Sequence, residues 1–259
     1  MSGSIHATAI VAPDAVLGEG VEVGPYCVIG PGVEIGARTR LGAHATIHCH
    51  TSVGVDNVIH AFASVGDAPQ DKKYQGEPTR LVLGDRNVVR EFVTLNRGTT
   101  KDRGVTTIGN DNLFMSYSHV AHDCIVGNQC VLANSSTLGG HVVLGDWVIM
   151  GGFAAVHQFC KVGAHAFLAN NAAVTRDVPP YVMAVGGPAK PHSINAEGLK
   201  RRGFSPQQIR NLRNAYRTLY RSGLRLEDAV ERLVEAARDQ PEVQLLVDFI
   251  PQSTRSLVR

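Results

Sequence analysis

The sequence predicts an all-β, three-sided parallel β-helix followed by an α-helical C-terminal region. Three observations carry this expectation: aliphatic residues recur every six positions over the first three quarters of the chain, Gly is abundant while aromatics reach only 6%, and the spacing turns helical beyond about residue 200. Neither an α-helix nor an alternating strand has a period of six. Three short strands per coil do, with one aliphatic residue per face and about eighteen residues per coil.

The first run of hexads is Ile5, Val11, Leu17, Val23, Ile29, Ile35, Leu41, Ile47, Val53, Ile59 and Val65. Eight of these eleven are followed by a small residue: Ala12, Gly18, Gly24, Gly30, Gly36, Gly42, Gly54 and Gly66. The phase returns at Leu83, Val89 and Leu95, breaks again, and then runs without a slip from Ile108 to Val174. Each aliphatic side chain should point inward and stack on its counterpart one coil away, at the strand spacing of about 4.8 Å. The glycine after it suits the backbone at the corner. Cys27, Cys124, Cys130 and Cys160 lie four residues after an aliphatic position, as do Ala63, Ala154, Ala166 and Ala172. That position should take a small inward side chain, which makes these cysteines packing residues.

A solenoid admits insertions as loops leaving one edge. Two are expected, near 67–80 (DAPQDKKYQGEPTR) and near 97–107, and loops on a rigid rod are natural places for ligand contacts. The hexads stop at about Pro179, and PPYVMAVGGPAKPH reads as a linker between a β-helix domain at 1–188 and a helical domain at 189–259. Ser205 and Pro206 form an N-cap and first-turn pair for a helix with the stripe Ile209, Leu212, Tyr216, Leu219 and Tyr220, ending near Gly223. A second helix fits Leu226 to about Asp239, with Val230, Leu233, Val234 and Ala237 on one side, and a third begins near Pro241.

Composition removes several classes of function. No stretch approaches the ~18–20 apolar residues that cross a bilayer, and the N-terminus lacks a secretory pattern, so a soluble cytoplasmic protein is expected. The five cysteines are scattered without a Cys-x-x-Cys pair, which argues against a disulfide framework or a thiolate zinc site. A net charge of +2 argues against a general nucleic-acid binder. The basic residues are nonetheless uneven: eight lie between Lys200 and Arg225 with no acidic residue among them, and Arg210, Arg213, Arg217 and Arg221 share one helix face.

Among the eleven histidines the repeat decides which are neighbours. His119, His122, His141 and His157 fall on one stripe of the prism over about three coils, within roughly 10 Å of height. A neutral imidazole there can act as a general base, since its ordinary pKa of ~6.5 lies near working pH. Three imidazoles can instead hold zinc with one position open. Asp123 can fix one tautomer of His122 if a local turn brings the two side chains to one side. Asp71 and Lys73, in the first loop, can reach over the stripe.

The motifs QDKKYQGEPTR (70–80), RGT (97–99), SHVAHDC (118–124), AVHQFC (155–160), DVPPYV (177–182) and EGLKRRGF (197–204) resemble the UDP-N-acetylglucosamine O-acyltransferase family of lipid A synthesis, over nearly the whole chain. The resemblance implies a left-handed prism, a homotrimer, and transfer of a 3-hydroxyacyl group from acyl carrier protein to a UDP-amino sugar without an acyl-enzyme. It implies His122 as base, oriented by Asp123, with the Gly140 N–H facing the oxyanion. Lys73, His119, His141, His157 and Gln158 would line the substrate, and Asn195, Glu197, Arg201 and Arg202 would hold the uridine diphosphate end. Asn170 occupies the position that limits acyl-chain length. No metal and no cofactor are implied beyond the phosphopantetheine arm that carries the donor, and the arginine face would meet the acidic helix of the carrier. Asn96 stands where many relatives have His, and the acceptor position, 3-hydroxyl or 3-amino, is left open because one base serves either.

Two other readings compete. A γ-class carbonic anhydrase shares the β-helix and places three histidines around zinc at a subunit interface. A non-catalytic hexapeptide-repeat scaffold shares the rod but leaves the basic tail and the histidine stripe without a task.

Overall fold

The computed structural model describes residues 4–259. Most strands are two residues long and end on the aliphatic hexad position, as in Val28–Ile29, His119–Val120 and Phe167–Leu168. They stack into three sheets of nine, eight and ten strands that form the faces of a prism. The first sheet includes Ser64–Asp67, Thr94–Asn96, His119–Val120, Thr137–Leu138 and Ala155–Val156. Ile125–Val126, Val143–Leu144 and Lys161–Val162 belong to the second, and Val131–Leu132, Ile149–Met150 and Phe167–Leu168 to the third. Register joins each residue to its counterpart one coil away, for example Val131 to Ile149 and Ile149 to Phe167. The inward aliphatics, including Ile29, Ile47, Leu95, Leu132 and Met150, are buried in one continuous core with Cys27, Cys124, Cys130 and Cys160. Burial pushes the thiols of Cys124 and Cys130 up to about 12, so they act as small apolar groups.

The corners specify why glycine suits them. The left-handed conformation falls three residues after the aliphatic position, on non-glycine residues such as Tyr26, Phe62, Asp123, His141 and Phe159. The glycine directly after the aliphatic position has a different reason, clearest at the corner between the second and third sheets. There Gly18, Gly36, Gly54, Gly84, Gly109, Gly127, Gly145 and Gly163 form an unbroken column, and a Cβ on any of them would lie within 2.3–2.8 Å of backbone in the next coil. Close coil approach, not turn geometry, excludes side chains. Inside the same corner Asn57, Asn87 and Asn112 replace the expected small residues. Asn57 Oδ1 accepts from Asn87 N–H (2.8 Å), Asn87 Oδ1 from Asn112 N–H (3.0 Å) and Asn112 Oδ1 from Cys130 N–H (2.7 Å). A buried ladder of this kind satisfies amides that the short strands leave unpaired.

Both expected insertions leave from the corner between the first and second sheets. One lies between Ser64–Asp67 and Arg80–Leu83, the other between Thr94–Asn96 and Val105–Ile108. Asn96 and Arg97 tie the two together: Asn96 Nδ2 donates to Ala68 O (2.9 Å), while Arg97 donates to Gly66 O (2.9 Å) and Tyr74 Oη (3.0 Å). Asn96 thus anchors the first loop in this chain.

The segment read as a linker is structured. Val182–Val185 extends the third sheet in parallel, and Lys190–Ile194 folds back on it antiparallel. The boundary expected between 188 and 189 falls in the turn of this hairpin. Four helices follow: α1 (Ala196–Arg201), α2 (Pro206–Tyr220), α3 (Leu226–Ala237) and α4 (Gln244–Phe249). The sequence reading missed α1, which Asn195 caps through Gly198 N–H at 3.1 Å. Ser205 and Gln208 form a reciprocal capping box at the start of α2, whose buried face carries Ile209, Leu212, Tyr216 and Leu219. The expected stripe of α3 is rotated, burying Ala229, Leu233 and Ala237 and leaving Val234 exposed, and the third expected helix opens as a short 3-10 turn at Pro241–Val243. The tail returns to the rod at Asp177, whose carboxylate accepts from Ser253 Oγ (2.7 Å), Thr254 N–H (2.9 Å) and Lys161 N–H (2.7 Å).

If the glycine column exists for coil spacing, Gly36→Ala, with its Cβ 2.5 Å from Gly54 C, lowers stability by about 1–3 kcal/mol in denaturant titrations. Gly152→Ala, whose nearest neighbour is 3.5 Å away, serves as the contrast and leaves the midpoint nearly unchanged. Equal effects would contradict the spacing argument.

Candidate active site

The corner that sends out both loops also carries the histidine stripe. Val120 ends a strand, and the chain turns at His122 and Asp123, with Asp123 in the left-handed conformation (φ 59°). The local turn required for the two side chains to meet is therefore present. His122 Nδ1–H donates to Asp123 Oδ2 at 2.9 Å. A carboxylate can only accept, so the bond places the proton on Nδ1 and leaves Nε2 bare in the neutral ring.

Asp123 is itself gripped from the second loop. Thr99 N–H donates to both carboxylate oxygens (3.0 Å each) and the Thr99 hydroxyl to Oδ2 (2.7 Å). Burial alone would raise its pKa, but the hydrogen bonds from His122 and Thr99, with the nearby His141, hold it below the ordinary aspartate value. Thr99 was not among the expected site residues; its signal was the RGT motif, whose neighbour in space cannot be read from spacing.

One coil above His122 sits Gly140, and above that Gln158, which is exposed. A Cβ on Gly140 would lie 2.6 Å from His122 Cε1 and 2.8 Å from Nε2, so the imidazole rests directly on this glycine. Among the described residues no acceptor takes the Gly140 N–H. Beside it, His141 meets His122 edge-on at 5.0 Å between centroids and stacks on Phe159 at 4.3 Å. Its Nδ1–H donates to Asp102 Oδ2 at 2.8 Å, a partner in the second loop that the sequence reading did not single out.

The remaining stripe residues are less closely joined. His119 bonds Thr94 Oγ1 at 2.7 Å, and burial together with nearby His122 holds its pKa below the ordinary histidine value. His157 is exposed and bonds the carbonyl of its neighbour Gln158, with no contact to the other three rings among the described residues. Asp71 lies close enough for His122 to influence its carboxyl, which the Lys73 N–H bond chiefly holds low; the Lys73 side chain is exposed. His122, Asp123 and His141 do place one possible ligand atom each within 4.8 Å of one another. Within one chain no third histidine joins them among the described residues, and Asp123 already accepts from Thr99 and His122.

The nucleotide-end residues lie elsewhere. Asn195, Glu197, Arg201 and Arg202 line a groove of about 480 Å³ over Val131, Ile149 and Phe167 on the third sheet. Arg202 lies over the Trp147 ring (5.1 Å to the centroid), and its guanidinium donates to His165 Nδ1 at 3.2 Å. Burial, then the charge of Arg202, pushes His165 down to about 4, which keeps it a neutral acceptor. Arg201 pairs with Glu197 at 3.0 Å. Asn170 sits at the third corner, between the third and first sheets, where its Oδ1 accepts from Gly152 N–H at 3.0 Å. Arg210, Arg213, Arg217 and Arg221 are all exposed on α2. Within one chain, then, the expected residues are divided among four regions: the histidine corner, the groove on the third sheet, the Asn170 corner and the arginine face of α2.

Comparison with known proteins places this geometry. The family model for UDP N-acetylglucosamine O-acyltransferase, domain 2, matches residues 177–258, and the bacterial transferase hexapeptide model matches 14–49 and 106–140. The acyl-[acyl-carrier-protein]--UDP-N-acetylglucosamine O-acyltransferase of Thiobacillus denitrificans is 54% identical over 256 residues, covering 99% of each chain. The chain belongs to the UDP-N-acetylglucosamine O-acyltransferase family. Among solved members, the Francisella novicida enzyme superposes with a TM-score of 0.97 at 42% identity, covering 99% of this chain and 94% of that one. The Acinetobacter baumannii structure gives 0.96 at 46%, covering 98% and 99%. The family thus accounts for rod, hairpin and helical tail together. No helix among the described residues is long and apolar enough to cross a membrane.

The Thr99 grip has a measurable sign. The unfolded carboxyl titrates near ~3.9, the folded one below it, so Asp123 contributes stability that is complete above the unfolded value and is lost as pH falls through the folded value. Thr99→Val removes one charge-assisted bond, lowering neutral-pH stability by about 1.5–3 kcal/mol and moving the acid transition to higher pH. An acid unfolding curve superimposable on the parent's would show that the hydroxyl does not hold the carboxylate.

Proposed function

We propose that the protein transfers an (R)-3-hydroxyacyl chain from acyl carrier protein to the 3-position of UDP-N-acetylglucosamine, the first step of lipid A synthesis, in the cytoplasm. The observation that carries this reading is the oriented His122–Asp123 pair with its bare Nε2 beside the unengaged Gly140 N–H, in a chain of this family. Nε2 takes the proton of the sugar 3-hydroxyl as that oxygen attacks the thioester carbonyl carbon. Negative charge gathers on the carbonyl oxygen, where the Gly140 N–H meets it more strongly than in the ground state. Collapse breaks the C–S bond, and the leaving thiolate recovers the proton from His122. Asp123 stabilises the transient imidazolium, and a 3-amino acceptor would use the same base. The protein needs no cofactor of its own, since the donor arrives on the phosphopantetheine arm of the carrier.

The division of the site supports a homotrimer. His122 and the Arg202 groove lie at different corners, separated by a face of one hexad that spans at most about 20 Å; a neighbouring chain can present the second corner to the first. Arg201 and Arg202 would fork onto the diphosphate, His119, His157, Gln158 and Lys73 would line the substrate path, and Asn170 would narrow the acyl groove, favouring chains of medium length. Arg210, Arg213, Arg217 and Arg221 would dock the acidic carrier.

His122→Ala should lower kcat by about 10²–10⁴-fold while UDP-N-acetylglucosamine binding stays within about twofold of the parent by calorimetry, because the base acts on the reacting proton. Gly140→Ala, which displaces the ring, should behave likewise. Losses confined to KM would contradict the assignment. For docking, reversing Arg213 and Arg217 to Glu should reduce kcat/KM for the carrier-bound donor through slower association, and added salt should imitate the loss in the parent. A short pantetheine thioester should be indifferent to both; if it suffers equally, the arginines serve the fold.

A further inference from the structure

The second inserted loop carries two consecutive charges close to the His122 corner, one beside Asp71 and one on His141. Lys101 Nζ lies 3.6 Å from Asp71 Oδ2, and Asp102 Oδ2 accepts the Nδ1–H of His141 at 2.8 Å. We propose that Asp102 is a positioning residue that selects the tautomer of His141, so that Nε2 enters the site as a hydrogen-bond acceptor for an N–H or O–H of the acceptor sugar. The inference rests on the functional reading above and deepens it.

Packing already fixes the plane of the His141 ring between Phe159, stacked at 4.3 Å, and His122, edge-on at 5.0 Å. What packing leaves undecided is which nitrogen carries the proton. Two carboxylates compete for it. Asp102 faces Nδ1 at hydrogen-bonding distance, whereas Asp123 lies 3.9 Å from Nε2, beyond a direct bond, with its oxygens taken by Thr99 and His122. Asp102 therefore wins, the proton sits on Nδ1, and Nε2 is left with a lone pair. Without Asp102 no acceptor among the described residues holds the proton on Nδ1, and the Nε2–H form that a neutral imidazole otherwise favours takes over. The acceptor then becomes a donor facing the sugar. The same loop is pinned by the Thr99 bonds to the buried Asp123 carboxylate, so the choice is made by an ordered loop and not by a transient surface charge.

The test uses full-length protein with ¹⁵N-labelled histidine, the His141 signals being assigned by their loss in His141→Gln. In mildly alkaline buffer without substrate, the parent should show a protonated Nδ1 and a bare Nε2. Asp102→Ala should shift the population towards the opposite tautomer and weaken UDP-N-acetylglucosamine binding about tenfold by calorimetry, the equivalent of one hydrogen bond. Asp102→Asn, whose amide oxygen can still accept from Nδ1–H, should restore most of both properties. An unchanged tautomer in Asp102→Ala, or a changed tautomer with unchanged sugar affinity, overturns the proposal. A parent protein that binds no UDP-sugar at all fails the functional reading instead, and the two failures are separable because the tautomer is read without ligand.

Discussion

The whole molecule depends on one spacing: each residue lies over its counterpart in the next coil at the parallel-strand distance of about 4.8 Å. Two-residue strands cannot hold a sheet by length, so stability comes from repetition, with each inward aliphatic packed on the one above and below. The same spacing dictates the corners. Where backbones approach most closely, between the second and third sheets, the chain uses glycine without exception from Gly18 to Gly163, and the inward Asn57–Asn87–Asn112 ladder satisfies the corner amides. The inserted loops disturb this framework only locally: the register shifts between Val65 and Asp67 where the first one leaves, and beyond it Leu83 still pairs with Val53 below and Ile108 above.

The candidate site is a product of that stacking. Asp123, His141 and Phe159 occupy the same left-handed corner position in three successive coils, and His122, Gly140 and Gln158 occupy the position before it. A left-handed non-glycine residue costs about 1–2 kcal/mol, which coil-to-coil bonds such as His141 N–H to His122 O (3.0 Å) and Phe159 N–H to Gly140 O (3.0 Å) help to offset. In return the corner turns consecutive side chains outward together, and this is why His122 and Asp123 meet although they are adjacent in sequence. The geometry of the candidate site is here a property of the repeat, refined by the second inserted loop, which reaches back to it through Thr99 and Asp102.

What the sequence made legible follows the same division. The hexad phase located the core, the inward cysteines, both insertions and the column holding His122 and His141, because a strict period converts position into place. It did not reveal Thr99 or Asp102, since a loop outside the repeat has no register to read. His157 shares the stripe yet does not join the cluster, because periodicity gives the height and face of a residue but not the direction of its side chain. The hairpin at 182–194 was hidden by its glycines and prolines, which resemble a linker until Val182–Val185 is seen to add to the third sheet. The reason for the glycines was legible only in part: the sequence shows that a corner takes no side chain, not whether torsion or contact forbids one.

The division of the site between prism corners leads to the central claim, that His122 of one chain works with Arg202 of another. The direct measurement mixes two variants, His122→Ala and Arg202→Ala, each of low activity alone, after denaturation and joint refolding at equal amounts. A site shared between chains predicts recovery towards one quarter of parental activity, because half of the first partners carry an intact His122 and half of the second an intact Arg202. A site contained within one chain predicts no recovery above the sum of the separate variants, and that result would contradict the account.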